Sequence, residues 1–145
     1  MLDLDLAISH HFLVFSLFGI LFTQLISVRR GIDQPTVSRI AAIDLWYGVL
    51  AGLIVVVGFS RAVFAAKGWA FYSHNAFFWA KLGVFAGIGA LSVAPTITYI
   101  RWKRAGFDPT DSQVVAVQRF LYLEVVLFAL LPAFAAAMAR GYGEF

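Results

Sequence analysis

The chain has no cysteine, which excludes disulfides, thiolate-held metals, iron–sulfur clusters and cysteine nucleophiles. Charge is scarce as well: Asp, Glu, Lys and Arg make up 13% of the 145 residues, about half the ~25% usual in soluble domains. A soluble fold needs a polar face on every element, and these charges sit in short clusters between long apolar stretches. A soluble enzyme is thereby excluded, and a hydrophobic content of 61% excludes a disordered chain. The net charge of +3 could suggest nucleic acid. Basic loops of a membrane protein account for it more simply, so no nucleic-acid partner is expected.

What the chain has in abundance is apolar sequence in lengths that fit a bilayer. About 20 apolar residues in a helix cross ~30 Å of hydrocarbon, and four such stretches occur, at about 6–28, 41–65, 76–100 and 114–139. The expected fold is all-α: an integral membrane four-helix bundle forming one transmembrane domain over 1–145. The links carry breakers, at Arg29 to Pro35, Lys67-Gly68-Trp69 and Arg104 to Pro109. Thr110-Asp111-Ser112-Gln113 offers capping groups ahead of the fourth span. The first span does not resemble a signal peptide, because its leading residues include Asp3 and Asp5 but no Lys or Arg.

Arg29, Arg30, Arg39, Arg101, Lys103, Arg104 and Arg119 fall on or near the side of the first and third links, against Arg61, Lys67, Lys81 and Arg140 on the other. The positive-inside rule then puts those links in the cytoplasm and both termini on the outer, periplasmic side of a bacterial inner membrane. Trp69, Phe71, Tyr72, Phe77, Phe78 and Trp79 would form an outer aromatic belt, with Tyr99 and Trp102 at the inner interface. Small residues recur at helical spacing, as in Gly48, Ala51, Gly58 and Ala62, or Gly83, Gly87, Ala90, Ala94 and Thr98. Helix–helix contacts within the bundle are the favoured explanation. Lys81 projects roughly opposite the stripe of its own span. Either the stripe faces the bundle and Lys81 snorkels outward, or Lys81 faces inward and the stripe meets another subunit.

Ionisable groups inside spans are costly and mark functional candidates. His10, His11, Arg61 and Lys81 lie about one helical turn below the outer surface, with His74 and Asn75 capping the third helix above them. Neutral imidazole is an axial ligand for haem iron, and Arg and Lys can hold its propionates. No acidic residue lies in this layer, which disfavours a zinc or di-iron carboxylate centre. The bland alternatives are interfacial hydrogen bonds for the histidines and snorkelling for Arg61 and Lys81. On the inner side lie Gln24, Asp44 and Arg119, with Glu124 near the midplane. Asp44 with Arg119 is the natural ion pair between helices, and Glu124 can accept hydrogen bonds from Gln24, Tyr47 or Tyr122. A buried pair fixing register is favoured there over a proton path.

The order of these groups resembles the four-helix HemJ-type protoporphyrinogen oxidases of bacteria. The likeness rests on His10 followed by Leu21-Phe22, Arg39 opening the second helix, Phe77-Phe78-Trp79-Ala80-Lys81-Leu82 opening the third, and Arg119-Phe120 with Glu124 in the fourth. It implies a haem b or porphyrin pocket using His10 and Lys81, with Arg39, Arg119 and Glu124 as further site residues. The chain departs from that pattern where Gly89-Ala90-Leu91-Ser92-Val93 lacks the family's later histidine, and where Leu17-Phe18-Gly19-Ile20 replaces its Trp-Phe-Ala-Gly.

The resulting expectation is a haem b or porphyrin protein with an oxidoreductase or electron-transfer role. His10 is the metal ligand, His11 or His74 the candidate second ligand, Arg61 and Lys81 hold propionates, and Glu124 and Arg119 take the catalytic role. The competing expectation is a non-catalytic assembly subunit that packs through its glycine faces, as a homo-oligomer or in a larger membrane complex. A transporter or channel would need more polar groups at the midplane.

Overall fold

A computed structural model describes residues 2–64 and 67–145. Its elements are α1 (Leu2–Ser27), α2 (Gln34–Phe64), α3 (Gly68–Ser73), α4 (Ala76–Ala105) and α5 (Asp111–Ala139). All but α3 are long and apolar enough to cross a membrane, as an all-α membrane protein requires. Among the described residues there is no strand, only one isolated bridge between Asn75 and Glu144. Ala65, the expected last residue of the second span, lies outside the described residues.

Each helix outruns its apolar core, and capping chemistry explains where it stops. Asp33 accepts a hydrogen bond from the Thr36 amide at 3.0 Å, so α2 starts well before its apolar stretch. Asn75 does the same for α4 through the Phe77 amide at 3.0 Å, and His74 instead closes α3. The Gln113 side chain accepts from the Thr110 amide at 3.1 Å, which is the capping box expected ahead of α5. Gly106 ends α4 with φ +73°, a conformation that suits glycine alone. Pro95 and Pro132 both sit inside uninterrupted helices.

The four long helices form a closed ring in which α1 packs on α2 and α5, and α4 packs on α2 and α5. One end carries both chain termini and α3, and is called here the terminal end. The opposite end carries the α1–α2 and α4–α5 links with exposed Arg29, Arg30, Arg39, Arg101, Lys103 and Arg104, and is called the basic end. The core contains Leu17, Leu21, Ile40, Ile54, Ile88, Val117, Leu121 and Phe128. Large side chains such as Phe12, Phe15, Trp46, Val56 and Val126 cover the outside. Exposed apolar surface of that extent is what lipid, rather than water, solvates.

Two expectations about surfaces are corrected. Tyr99 and Trp102 are buried in the bundle instead of forming an interfacial belt, and Tyr72 and Phe78 are buried with Ala62 in a small second core. Most of the glycines do not mediate contacts within the bundle either. A Cβ added at Gly19, Gly48, Gly83 or Gly87 would meet nothing within 4 Å. At Gly58 the neighbour is the His10 ring, 3.4 Å away. Glycine at that position leaves room for the His10 imidazole against α2.

The C-terminal tail is tied to the α3–α4 corner. The Ala76 amide donates to Gly143 O at 2.7 Å, the Phe145 amide to His74 O at 3.0 Å, and Asn75 Nδ2 to Tyr142 O at 3.0 Å. Buried Asn75 therefore caps one helix and anchors the tail with the same side chain.

Candidate functional site

The helices assemble two polar clusters, one at each end of a dry core. At the terminal end, half-buried His10 of α1 has Arg61 of α2 and Lys81 of α4 as charged neighbours, and Arg61 is in turn the charged neighbour of Lys81. Lys81 therefore turns inward, and the glycines of α4 turn outward. His10 Nδ1 and Arg61 Nε are both buried without a hydrogen-bond partner. Buried polar atoms are almost always paired, so two such atoms in one cluster mark a place built to receive something.

The other histidines take different positions. His11 is exposed, and its Nδ1 donates to the Ala7 carbonyl at 2.7 Å. Its ring stands edge-on to His10 with centroids 6.0 Å apart, so the two imidazoles do not face a common ligand. His74 is exposed at the end of α3, with Nδ1 held by the Ala70 carbonyl at 2.9 Å and its ring 6.1 Å from that of Phe145. In both, the carbonyl fixes the Nδ1–H tautomer and leaves Nε2 as the lone-pair nitrogen.

Arg39 and Arg119 are not part of this cluster. Both are exposed at the basic end, and Arg39 lies 22 residues before Arg61 on α2, roughly 33 Å along a helix rising ~1.5 Å per residue. Arg119 lines a shallow cleft of about 320 Å³ with Arg30, Asp111 and Ser112. The expected Asp44–Arg119 ion pair is likewise absent.

Asp44 belongs to the second cluster. Its Oδ1 accepts from Gln24 Nε2 at 3.1 Å and its Oδ2 from Thr96 Oγ1 at 2.7 Å. Across the bundle, Tyr47 donates to Glu124 Oε2 at 3.1 Å, the partner expected from the sequence. Tyr122 is exposed and Gln24 is committed to Asp44. Thr96 and Tyr99 complete the cluster. The sequence carried a signal for Tyr99, since Ile88, Pro95, Tyr99 and Trp102 recur at the 7-4-3 spacing of one helix face.

Among the described residues no group of three or more His, Cys, Asp or Glu is placed to hold a metal ion. A metal carried inside a porphyrin needs only one side-chain ligand, and His10 is the buried imidazole with a nitrogen free. The family model described as Predicted membrane protein (DUF2214) matches residues 2–143. The chain belongs to this family. No curated protein and no solved structure matches it. The four apolar helices fit a DUF2214 membrane protein.

Proposed function

We propose that this is an integral membrane protein of the bacterial inner membrane that binds haem b or a related porphyrin at its terminal end, in an oxidoreductase or electron-transfer role. The observation that carries this reading is the His10 imidazole lying against Gly58 with a buried, unpartnered Nδ1, beside Arg61 and Lys81. The residue types fit the group: one imidazole for axial ligation and two cations for propionates. When bound, the porphyrin iron supplies one-electron chemistry. The chain's own residues orient it, balance its carboxylates and keep lipid and water from the metal.

This reading uses His10 as the single axial ligand. His11 and His74 are exposed outside this cluster, and Arg39 and Arg119 are exposed at the basic end. The excess of basic residues at that end supports a cytoplasmic position for it, with both termini on the periplasmic side.

Titration of haem into the detergent-purified protein, followed by absorbance, tests the assignment. Saturation at one haem per chain is expected, with affinity falling about tenfold in Arg61→Ala or Lys81→Ala, the loss of one charge-assisted hydrogen bond. Arg39→Ala and Arg119→Ala should bind as wild type. Equal weakening in the Arg39 variant, or no saturation, would contradict the site.

A second reading, a non-catalytic assembly subunit, is favoured by the open faces at Gly83 and Gly87. Bare helix faces of that kind let two membrane helices approach closely. A native mass of two or more chains, reduced to one by Gly83→Leu or Gly87→Leu, would support it; a monomeric wild type would exclude self-association.

A further inference from the structure

The cluster nearer the basic end draws one or more side chains from every long helix: Gln24 from α1, Asp44 and Tyr47 from α2, Thr96 and Tyr99 from α4, and Glu124 from α5. Its two carboxylates are not equivalent. Asp44 has a hydrogen-bond donor on each oxygen, the surroundings of an ionised carboxylate. Glu124 is 1% exposed, has a donor only on Oε2, and its Oε1 is buried without a partner. Tyr99 is 0% exposed, its hydroxyl also lacks a partner, and it lies within electrostatic reach of both carboxylates.

The titratable groups that face Glu124 are Asp44 and Tyr47 from α2 and Tyr99 from α4. From α1 the bundle receives Leu17, Leu21 and Gln24, none of them ionisable. Two negative charges in one dry site without a counter-cation are the costliest arrangement that these groups can adopt. Something positive must join them, and the free oxygens indicate what. Glu124 Oε1 and Tyr99 Oη are the two side-chain oxygens buried without a partner among the described residues. An alkali ion needs a full shell of oxygens to replace its water, whereas a proton needs one.

We propose that Glu124 is a reversible proton-binding site, in which Oε1 takes up and releases one proton with the Tyr99 hydroxyl as its partner through one bridging water. The proton comes from and returns to water. Leu17, Ile54 and Ile88 form an apolar layer with Phe128, and the first three lie seven residues from His10, Arg61 and Lys81 respectively. At ~1.5 Å per residue the layer lies about 10 Å from the terminal-end cluster, and the fourteen residues from His10 to Gln24 set the two clusters about 20 Å apart with this dry layer between them. This inference does not depend on porphyrin binding, and its test contains none.

The full chain in liposomes is treated with an apolar carbodiimide, which reacts with protonated carboxyl groups, and the adduct is located by mass spectrometry of the digest. One adduct on Glu124 is expected, falling about tenfold for each pH unit above the midpoint of its titration, and unchanged when sodium chloride replaces choline chloride. The infrared carbonyl stretch of a protonated carboxylic acid should rise and fall over the same pH range. Tyr99→Phe, which keeps the ring and its packing, should leave that band present but shifted in frequency. Glu124→Gln should remove band and adduct together; should that variant fail to fold, the wild-type titration and Tyr99→Phe still decide the matter. Protection by sodium would replace the proton with an alkali ion. A missing or pH-independent signal at Glu124 would overturn the proposal, and an unshifted band in Tyr99→Phe would remove Tyr99 from it.

Discussion

Asp44 illustrates how a single side chain can tie three helices together. It receives Gln24 from α1 and Thr96 from α4, one turn from Tyr47, which reaches Glu124 on α5. Replacing it with alanine leaves two buried donors unsatisfied. Asp44→Ala should lower stability by about 1–3 kcal/mol, measured as thermal unfolding in detergent, whereas exposed Arg119→Ala should stay within ~0.5 kcal/mol. Equal losses would restore the ion pair that the sequence suggested. That suggestion failed for an identifiable reason. Arg119 and Glu124 are five residues apart and point about 140° away from each other on one helix, so only one of them can face the core. The cost of burial selects the carboxylate that has a tyrosine donor waiting across the bundle.

Asp33 acts outside the apolar core. Hydrogen bonding by the Thr36 side chain, and then by its amide, holds this exposed carboxyl below its ordinary value of 3.8. The cap is therefore fully formed above that value and is lost as the pH falls through the lower folded value. Amide exchange at Thr36, corrected for intrinsic rates, should speed up in that acid window in the wild type, and already at neutral pH in Asp33→Ala. A Thr36 amide indifferent to both changes would show that Asp33 does not cap α2.

At the scale of elements, hydropathy shows where lipid ends and capping shows where helices end, and the two differ. The apolar stretches located all four spans, yet α2 begins at Gln34 and α4 runs on to Ala105, because Asp33 and Gly106 set those boundaries and neither is apolar. The short α3 was not legible. Six residues, Gly68–Ser73, have no room for a periodic pattern, and their aromatics were equally consistent with an interfacial belt. The glycine stripes misled for a related reason: periodicity identifies a face without saying what it faces. Lys81, on the opposite side of α4, turns inward and so sends Gly83 and Gly87 out.

The terminal corner depends on one glycine. Gly143 has φ +82°, and a Cβ there would come within 2.6 Å of the Phe77 ring. Gly143→Ala should detach the tail, at a cost of about 1–2 kcal/mol for the left-handed backbone alone, and the Ala76 amide should lose its exchange protection. Retained protection would mean that the tail is held elsewhere.

For the whole molecule, the lack of cysteine becomes an experimental advantage, since any thiol introduced is the only one. Ser73→Cys, at the terminal end, should react with a membrane-impermeant maleimide in intact spheroplasts. Lys103→Cys, at the basic end, should react only after the membrane is opened. The reverse pattern would invert the topology and put the His10 cluster on the cytoplasmic side. The bundle keeps its two polar clusters apart with an apolar layer.

The proposed porphyrin site stands or falls with His10, backed by Gly58 and flanked by Arg61 and Lys81, as the ligand of the iron. The absorption spectrum of the protein purified in mild detergent after growth with haem supplementation tests it most directly. A Soret band should accompany the wild type and disappear in His10→Ala while persisting in His11→Ala and His74→Ala. A colourless wild type, or a band that survives the loss of His10, would contradict it.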